Sequence, residues 1–277
     1  MDKKELTLQL EAKAKELRKN LLTMIHKANS GHPGGSLSAA DIMTVLYFHE
    51  LNLDPKNPKW EGRDRFVLSK GHVCPVLYTS LIMRGFMDFE ELYNLRKFGS
   101  KLHGHPDMKS TPGVDISTGS LGQGLSTAVG MAIGLKRDNS KSRVFCLVGD
   151  GETNEGQIWE AIQSAAKYEL DNLIIFIDHN NIQNDDFCKE IMPLYDLEEK
   201  FKAFGCETYS IDGHSVAQIL SVLDSIRNKH NRKPICIVAN TVKGKGVSFM
   251  EHVPSWHGVA PNDEQLKQAL IDVEGGI

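Results

Sequence analysis

Two short segments carry the residue types that could do chemistry. Gly149-Asp150-Gly151 follows the apolar run 144–148, and Asp178-His179-Asn180-Asn181 ends a later apolar run. If both runs are strands of a right-handed β-α-β unit, the two turns lie side by side at one edge of a parallel sheet. A carboxylate and an amide oxygen then share one crevice. Hard oxygen donors of this kind suit Mg²⁺, which takes one or two protein groups and completes its octahedron with water and phosphate oxygens. The ligand class this points to is a metal-bound diphosphate. Gly149 and Gly151 are expected to allow tight or positive-φ backbone and close approach to a ligand, with a helix starting near Asn154-Glu155 presenting its N–H groups to a phosphate. Gly-Asp-Gly by itself is more often a sharp strand-to-helix turn, so the spaced Asn180 is what favours a metal site.

These turns must be held by alternating strands and helices, and the chain shows that alternation. Leu6, Leu10, Ala14, Leu17, Leu21 and Ile25 recur at helical spacing, and Ser38-Ala39-Ala40-Asp41 is expected to open a second helix carrying Ile42, Val45, Leu46 and Leu51. Strands are expected at 65–68, 143–148, 173–178, 207–211 and 234–240. Helices are expected at 75–84, 121–136, 155–168, 197–204, 215–228 and 263–273. Solidly apolar strands alternating with helices predict an α/β fold: a parallel sheet with helices on both faces. The stretch 99–119 lacks periodicity, which in a compact domain marks an active-site loop. An irregular stretch at 185–193 is expected to cover the site.

Composition is that of a folded domain. The chain has 277 residues, 40% hydrophobic and 25% charged, with no linker or low-complexity tract, so one domain over 1–277 is expected. A net charge of −4 gives no footprint for nucleic acid or an anionic membrane. Five cysteines without a Cys-x-x-Cys pair suggest neither a disulfide framework nor a zinc site. No signal peptide or membrane-length apolar run is present in the sequence, and a cytoplasmic location is expected.

Several further segments, taken with 149–180, carry a family resemblance. They are Ser30-Gly31-His32-Pro33-Gly34-Gly35, Ser69-Lys70-Gly71-His72, Gly104-His105-Pro106, Thr118-Gly119-Ser120-Leu121-Gly122-Gln123-Gly124 and Ser255-Trp256-His257-Gly258. Over nearly its whole length the chain resembles the N-terminal, diphosphate-binding (PP-type) domain of transketolase, a thiamine-diphosphate enzyme. Deoxyxylulose-phosphate synthase shares the thiamine motif but lacks the His-Pro-Gly of the first segment.

The resemblance implies thiamine diphosphate and Mg²⁺ as cofactors, with Ca²⁺ or Mn²⁺ as possible substitutes. It implies Asp150, Asn180 and the carbonyl of Ile182 as metal ligands, Gly151 as a phosphate-binding N–H, and Gly119 and Leu121 as main-chain contacts to the aminopyrimidine. Lys243 is either a further cation for the diphosphate or a solvated loop lysine. Asp178 and Asp185 are expected to be structural, and Glu155 and Glu160 to lie at a subunit interface. Of the eleven histidines, four match site histidines of the family. His32 and His257 would serve the C3 hydroxyl of a ketose cleaved between C2 and C3, His105 the C1 hydroxyl and carbonyl side, and His72 and His257 the diphosphate. That chemistry needs several neutral donors and acceptors around one sugar. His103 neighbours His105 but matches no site histidine, and His26, His49, His179, His214, His230 and His252 are read as structural.

Thiamine activation also needs a carboxylate that in transketolase belongs to the following pyrimidine-binding domain, and the segment after His257 holds one short predicted helix. The chain is therefore expected to be the N-terminal subunit of a split transketolase, working with a separate C-terminal subunit in an α₂β₂ assembly on sugar phosphates. The alternatives are a relative acting on a sulfonated or branched ketose, and a non-catalytic module that binds thiamine diphosphate.

Overall fold

The structure, a computed structural model, describes residues 2–276. Met1 and Ile277, the ends of the expected 1–277 domain, lie outside the described residues. Five parallel strands form one sheet in the order β1-β2-β3-β7-β6: β1 (Arg65–Leu68), β2 (Val144–Gly149), β3 (Leu173–His179), β6 (Glu207–Asp212) and β7 (Ile235–Asn240). The central strands β2, β3 and β7 are buried except at their last residues, because both sheet faces are covered. Alternation decides which helices each side chain meets. Val144, Cys146, Ile175, Ile177, Cys236 and Val238 pack with α5 (Gln123–Arg137), α6 (Gly156–Lys167) and α8 (Leu197–Ala203). Phe145, Leu147, Ile174, Phe176, Ile235 and Ile237 pack with α1 (Lys3–Ala28), α9 (Val216–Ile226) and α10 (Asp263–Gly275).

Three expectations change. Helical structure begins not at Ser38 but at Pro33, whose preset φ suits a first helical position. It runs through α2 (Pro33–Ser38) and α3 (Ala40–Val45) into one π-helical turn, Leu46–Glu50. Next, α5 starts at Gln123 rather than Leu121, because Gly122 takes φ 84° and breaks the helical path before it. The helix expected from Asn154-Glu155 is split: a 3₁₀ turn, Gly151–Asn154, follows Asp150 directly, Glu155 is extended, and α6 begins at Gly156. The N–H groups nearest Asp150 thus come from a single tight turn.

The loop 99–119 is irregular, as its composition suggests, and hangs from α4 (Cys74–Met83) through a small cluster of Met24, Tyr78, Leu92, Leu95 and Leu102. By contrast, 185–193 is structured. It contains the second strand of a hairpin, β4 (Ile182–Gln183) with β5 (Asp186–Phe187), and one helical turn, α7 (Cys188–Ile191). Asn181 and Asn184, at φ 62° and 47°, make the turns that this hairpin needs. Among the described residues no helix is long and apolar enough to cross a membrane, and all five cysteines are free and buried.

Candidate active site

Register brings the two sequence segments together. Gly149 pairs with Asp178 across β2 and β3, so Asp150 and Asn180 leave adjacent strands at their carboxyl ends, where parallel sheets bind ligands. Residues beyond β1 and β7 complete a cleft of about 410 Å³, whose lining includes Asp150, Asn180, Ile182, His72, Lys243 and His257. That volume lies within the usual range for small-molecule sites.

Asp150 is held from both sides: Oδ1 accepts from Gly151 N at 2.7 Å and Oδ2 from Asn181 N at 2.6 Å. Burial, and then the neighbouring Asp178 carboxylate, push Asp150 up to about 6. Asn180 donates Nδ2 to Asp178 Oδ2 at 3.3 Å, which fixes its amide so that Oδ1 accepts from Ile182 N at 3.2 Å. The Ile182 carbonyl faces the same corner and accepts from Lys243 Nζ at 3.3 Å. Among the described residues no three His, Cys, Asp or Glu side chains converge on a metal position. The donor set is one carboxylate, one amide oxygen and one backbone carbonyl. It fits a hard dication whose remaining positions go to water and ligand phosphate.

Gly151 lines this cleft, though neither it nor Gly149 has positive φ. The reason for glycine at 151 is close approach: a Cβ there would lie 2.5 Å from Cβ of Gln183. Its N–H is engaged by Asp150, so a phosphate would have to compete for that donor.

The histidines form the second part. His32, His72 and His257 make a triangle with ring centroids 5.1–5.2 Å apart. His32 directly precedes α2, His72 lies in the turn after β1, and His257 follows a 3₁₀ turn, Pro254–Trp256. Burial lowers all three, with help from neighbouring cations: Arg96 for His32 (about 4), Lys70 for His72 (about 2) and Lys243 for His257 (about 3). They are neutral imidazoles at neutral pH, able to donate from one nitrogen and accept at the other. Nδ1 of His32 is buried without a hydrogen-bond partner, an unusual state for a polar atom. His105 is exposed, with its ring against Gly119. Leu121 and Glu155 line the cleft, whereas Glu160 lies on the exposed side of α6. His103 points away, 3.4 Å from Asp107.

Three charged residues to which the sequence assigns no part in binding organise the floor. Asp178 is completely buried and takes Lys70 Nζ, Ser38 Oγ (2.5 Å) and Thr241 Oγ1. Burial alone would raise Asp178, but Lys70 and the two hydroxyls outweigh it and hold the carboxyl below its usual range. Glu152 accepts from Ser69 Oγ at 2.5 Å, Gly122 N at 2.8 Å and Gly149 N at 3.0 Å, tying the 118–122 turn to the end of β2. Burial raises its pKa despite these donors. Lys70 stands inside the Ser69-Lys70-Gly71-His72 segment, and Glu152 is next to Gly151. Their positions are visible in the sequence, but that both are buried and paired is not.

Comparison with known proteins agrees with this geometry. Residues 11–273 match the family described as "Transketolase, thiamine diphosphate binding domain". The chain belongs to the transketolase family. It is 43% identical over 270 residues, 98% of both chains, to "6-deoxy-6-sulfo-D-fructose transketolase subunit SqwG" of Clostridium sp. (strain MSTE9). It is 40% identical to an apulose-4-phosphate transketolase subunit of Phocaeicola vulgatus, covering 95% of this chain and 93% of that one. The crystal structure of transketolase from Campylobacter jejuni superposes with TM-score 0.90 at 37% identity, over 96% of this chain and 42% of that one. The Campylobacter jejuni transketolase is thus matched over about two-fifths of its length, and the two proteins named as transketolase subunits over nearly all of theirs. Within the family this chain is an N-terminal, thiamine-diphosphate-dependent transketolase subunit.

Proposed function

We propose that the cleft binds thiamine diphosphate with Mg²⁺, and that the chain, paired with a C-terminal subunit in an α₂β₂ assembly, transfers a two-carbon ketol unit from a ketose phosphate to an aldose phosphate. The observation that carries this reading is the convergence of Asp150, Asn180 and the Ile182 carbonyl on one corner, beside three neutral histidines. Mn²⁺ or Ca²⁺ would suit the same oxygen donors. When bound, the cofactor supplies the carbanion chemistry that breaks a bond next to a ketose carbonyl.

The chain's own residues do the rest. Asp150, Asn180 and Ile182 hold the metal, and Lys243, His72 and His257 face the diphosphate. Gly119 and Leu121 offer main-chain groups to the aminopyrimidine. His32 and His257 hold and move the proton of the C3 hydroxyl, and His105 orients the C1 end. Neutral imidazoles suit this work because each can accept a proton and return it. The rim, with the 99–119 loop and exposed Glu155 and Glu160, faces the partner subunit. Support for the partner comes from the two relatives matched along nearly their whole length, both of which are named as subunits.

A second reading for the substrate rests on those names: one relative is a sulfofructose transketolase and the other an apulose-4-phosphate transketolase. A sulfonated or branched ketose is therefore the alternative donor. Calorimetry of magnesium–thiamine diphosphate binding, with the partner present, tests the metal assignment. Asp150→Ala should lose most of its affinity, and wild-type affinity in that variant would refute the assignment.

A further inference from the structure

The loop 241–246, which carries Lys243, is held by a buried polar chain outside the cleft. Arg18 of α1 makes a two-pronged pair with Asp41 of α3, NH1 to Oδ1 at 2.9 Å and NH2 to Oδ2 at 2.5 Å. Asp41 Oδ2 also meets Nδ1 of His214 at 2.7 Å, and Nε2 of His214 meets Val242 N at 2.8 Å. A backbone N–H can only donate, so Nε2 is the acceptor and the proton of His214 sits on Nδ1, directed at Asp41. Arg18 grips the same loop at its other end, Nε to the Lys245 carbonyl at 3.3 Å. Between these anchors Gly244 N donates to Gly34 O at 3.0 Å, and the Lys243 side chain crosses so close to Gly34 that a Cβ there would lie 3.0 Å from its Cγ. Lys243 then reaches Ile182 O and His257 Nδ1.

We propose that His214, set in its Nδ1–H tautomer by Asp41 and Arg18, is a positioning residue that aims Lys243 by holding the Val242 N–H. This deepens the diphosphate reading of the cleft and rests on it for its effect on affinity. The effect on the loop itself does not depend on that reading. A histidine that merely neutralised Asp41 would need only its Nδ1–H. Positioning needs the acceptor at Nε2 as well.

Two substitutions separate these roles. Asn at 214 can still donate to Asp41 but has no atom that reaches Val242 N, whereas Gln extends far enough to place an oxygen near it. Magnesium–pyrophosphate binding to the full chain, read by calorimetry, should weaken about fivefold to tenfold in His214→Asn, the usual scale for one lost hydrogen bond, and stay near wild type in His214→Gln. In a Lys243→Met background the same His214→Asn change should cost less than about twofold, because coupled residues are not additive. Amide exchange, measured without any ligand, should speed up at Val242 in His214→Asn and not in His214→Gln. If His214→Asn does not fold, the ring nitrogen shifts of His214 in the unaltered chain read the same claim: a protonated Nδ1 with an accepting Nε2 supports it, and the opposite tautomer overturns it. Equal losses in both Lys243 backgrounds, or unchanged exchange at Val242, would overturn the proposal. Faster exchange at Val242 in a chain that binds no magnesium–pyrophosphate would instead refute the diphosphate reading and leave the positioning role standing.

Discussion

Nζ of Lys243 lies 2.9 Å from Nδ1 of His257. An ammonium group has donors only, so Nδ1 is the acceptor and His257 carries its proton on Nε2. Burial, and then Lys70, bring Lys243 down to about 8, while burial, and then Lys243, bring His257 down to about 3. At neutral pH the pair is therefore one cation and one neutral imidazole with a free N–H, in the corner assigned to the diphosphate and the reacting sugar.

Removing the cation should release the histidine. In Lys243→Met, the imidazole of His257 should titrate at a higher pH than in wild type, though still below the ordinary histidine value because burial remains. Proton NMR of the ring hydrogens reads this directly. An unchanged titration would show that the pair does not form in solution.

The depressed histidines contribute to the chain's acid response with a sign opposite to that of the raised Asp150 and Glu152. His32, His72 and His257 have folded-state values below the ordinary 6.5. Between the two values the unfolded chain binds more protons than the folded one, so stability falls as pH drops below about 6.5 and this contribution levels off only below the folded values. Urea midpoints measured from neutral pH down to about pH 4 should fall relative to those of His72→Gln, which lacks one of the three contributions. An equal slope in that variant would remove His72 from the explanation.

How much of this is legible in the sequence depends on the kind of information. The strands are readable because 144–148 and 173–177 are short, apolar without interruption and followed at once by turn residues, the pattern of strands in a doubly covered sheet. Asp150 and Asn180 are readable because both follow such runs directly. The hairpin at 182–187 is not: its strands have two residues each and depend on positive φ at Asn181 and Asn184, which no periodicity announces. The split helix start after Asp150 is hidden for a related reason, since a 3₁₀ turn shares its residues with a helix N-terminus. His214 reads as structural in the sequence, and what the structure adds is its pair of partners, Asp41 and Val242, distant in the chain. Buried charge pairing such as Lys70 with Asp178 needs coordinates, because sequence alone does not show which charges leave water.

Gly151 should tolerate no side chain. A Cβ placed 2.5 Å from Cβ of Gln183 must push the β4–β5 hairpin away from the turn after β2. Gly151→Ala should lower stability by about 1–3 kcal/mol, the usual scale for overpacking, and weaken metal binding by moving Ile182. Thermal melts together with Mn²⁺ titration followed by electron paramagnetic resonance check both effects. Wild-type behaviour in the two would show that the hairpin shifts freely.

His32 and His257 should differ in kind. His32→Ala should lower kcat/KM by roughly 10²–10⁴-fold, the scale of a general acid–base group, with little change in cofactor affinity. His257→Ala should lower both, since its ring also meets Lys243. Steady-state kinetics with the partner subunit, alongside cofactor calorimetry, separates the two. Equal loss of cofactor binding in both variants would make His32 a binding residue.

The central claim is tested most directly by a ketol-transfer assay on the purified chain with and without the C-terminal subunit, supplied with thiamine diphosphate and Mg²⁺. Xylulose 5-phosphate with ribose 5-phosphate is the first substrate pair and a 6-sulfo ketose the second donor. Turnover is predicted in the mixture and not in this chain alone, and the donor that supports it selects between the two substrate readings. Robust turnover by this chain alone, or none with either donor in a cofactor-saturated mixture, would contradict the account.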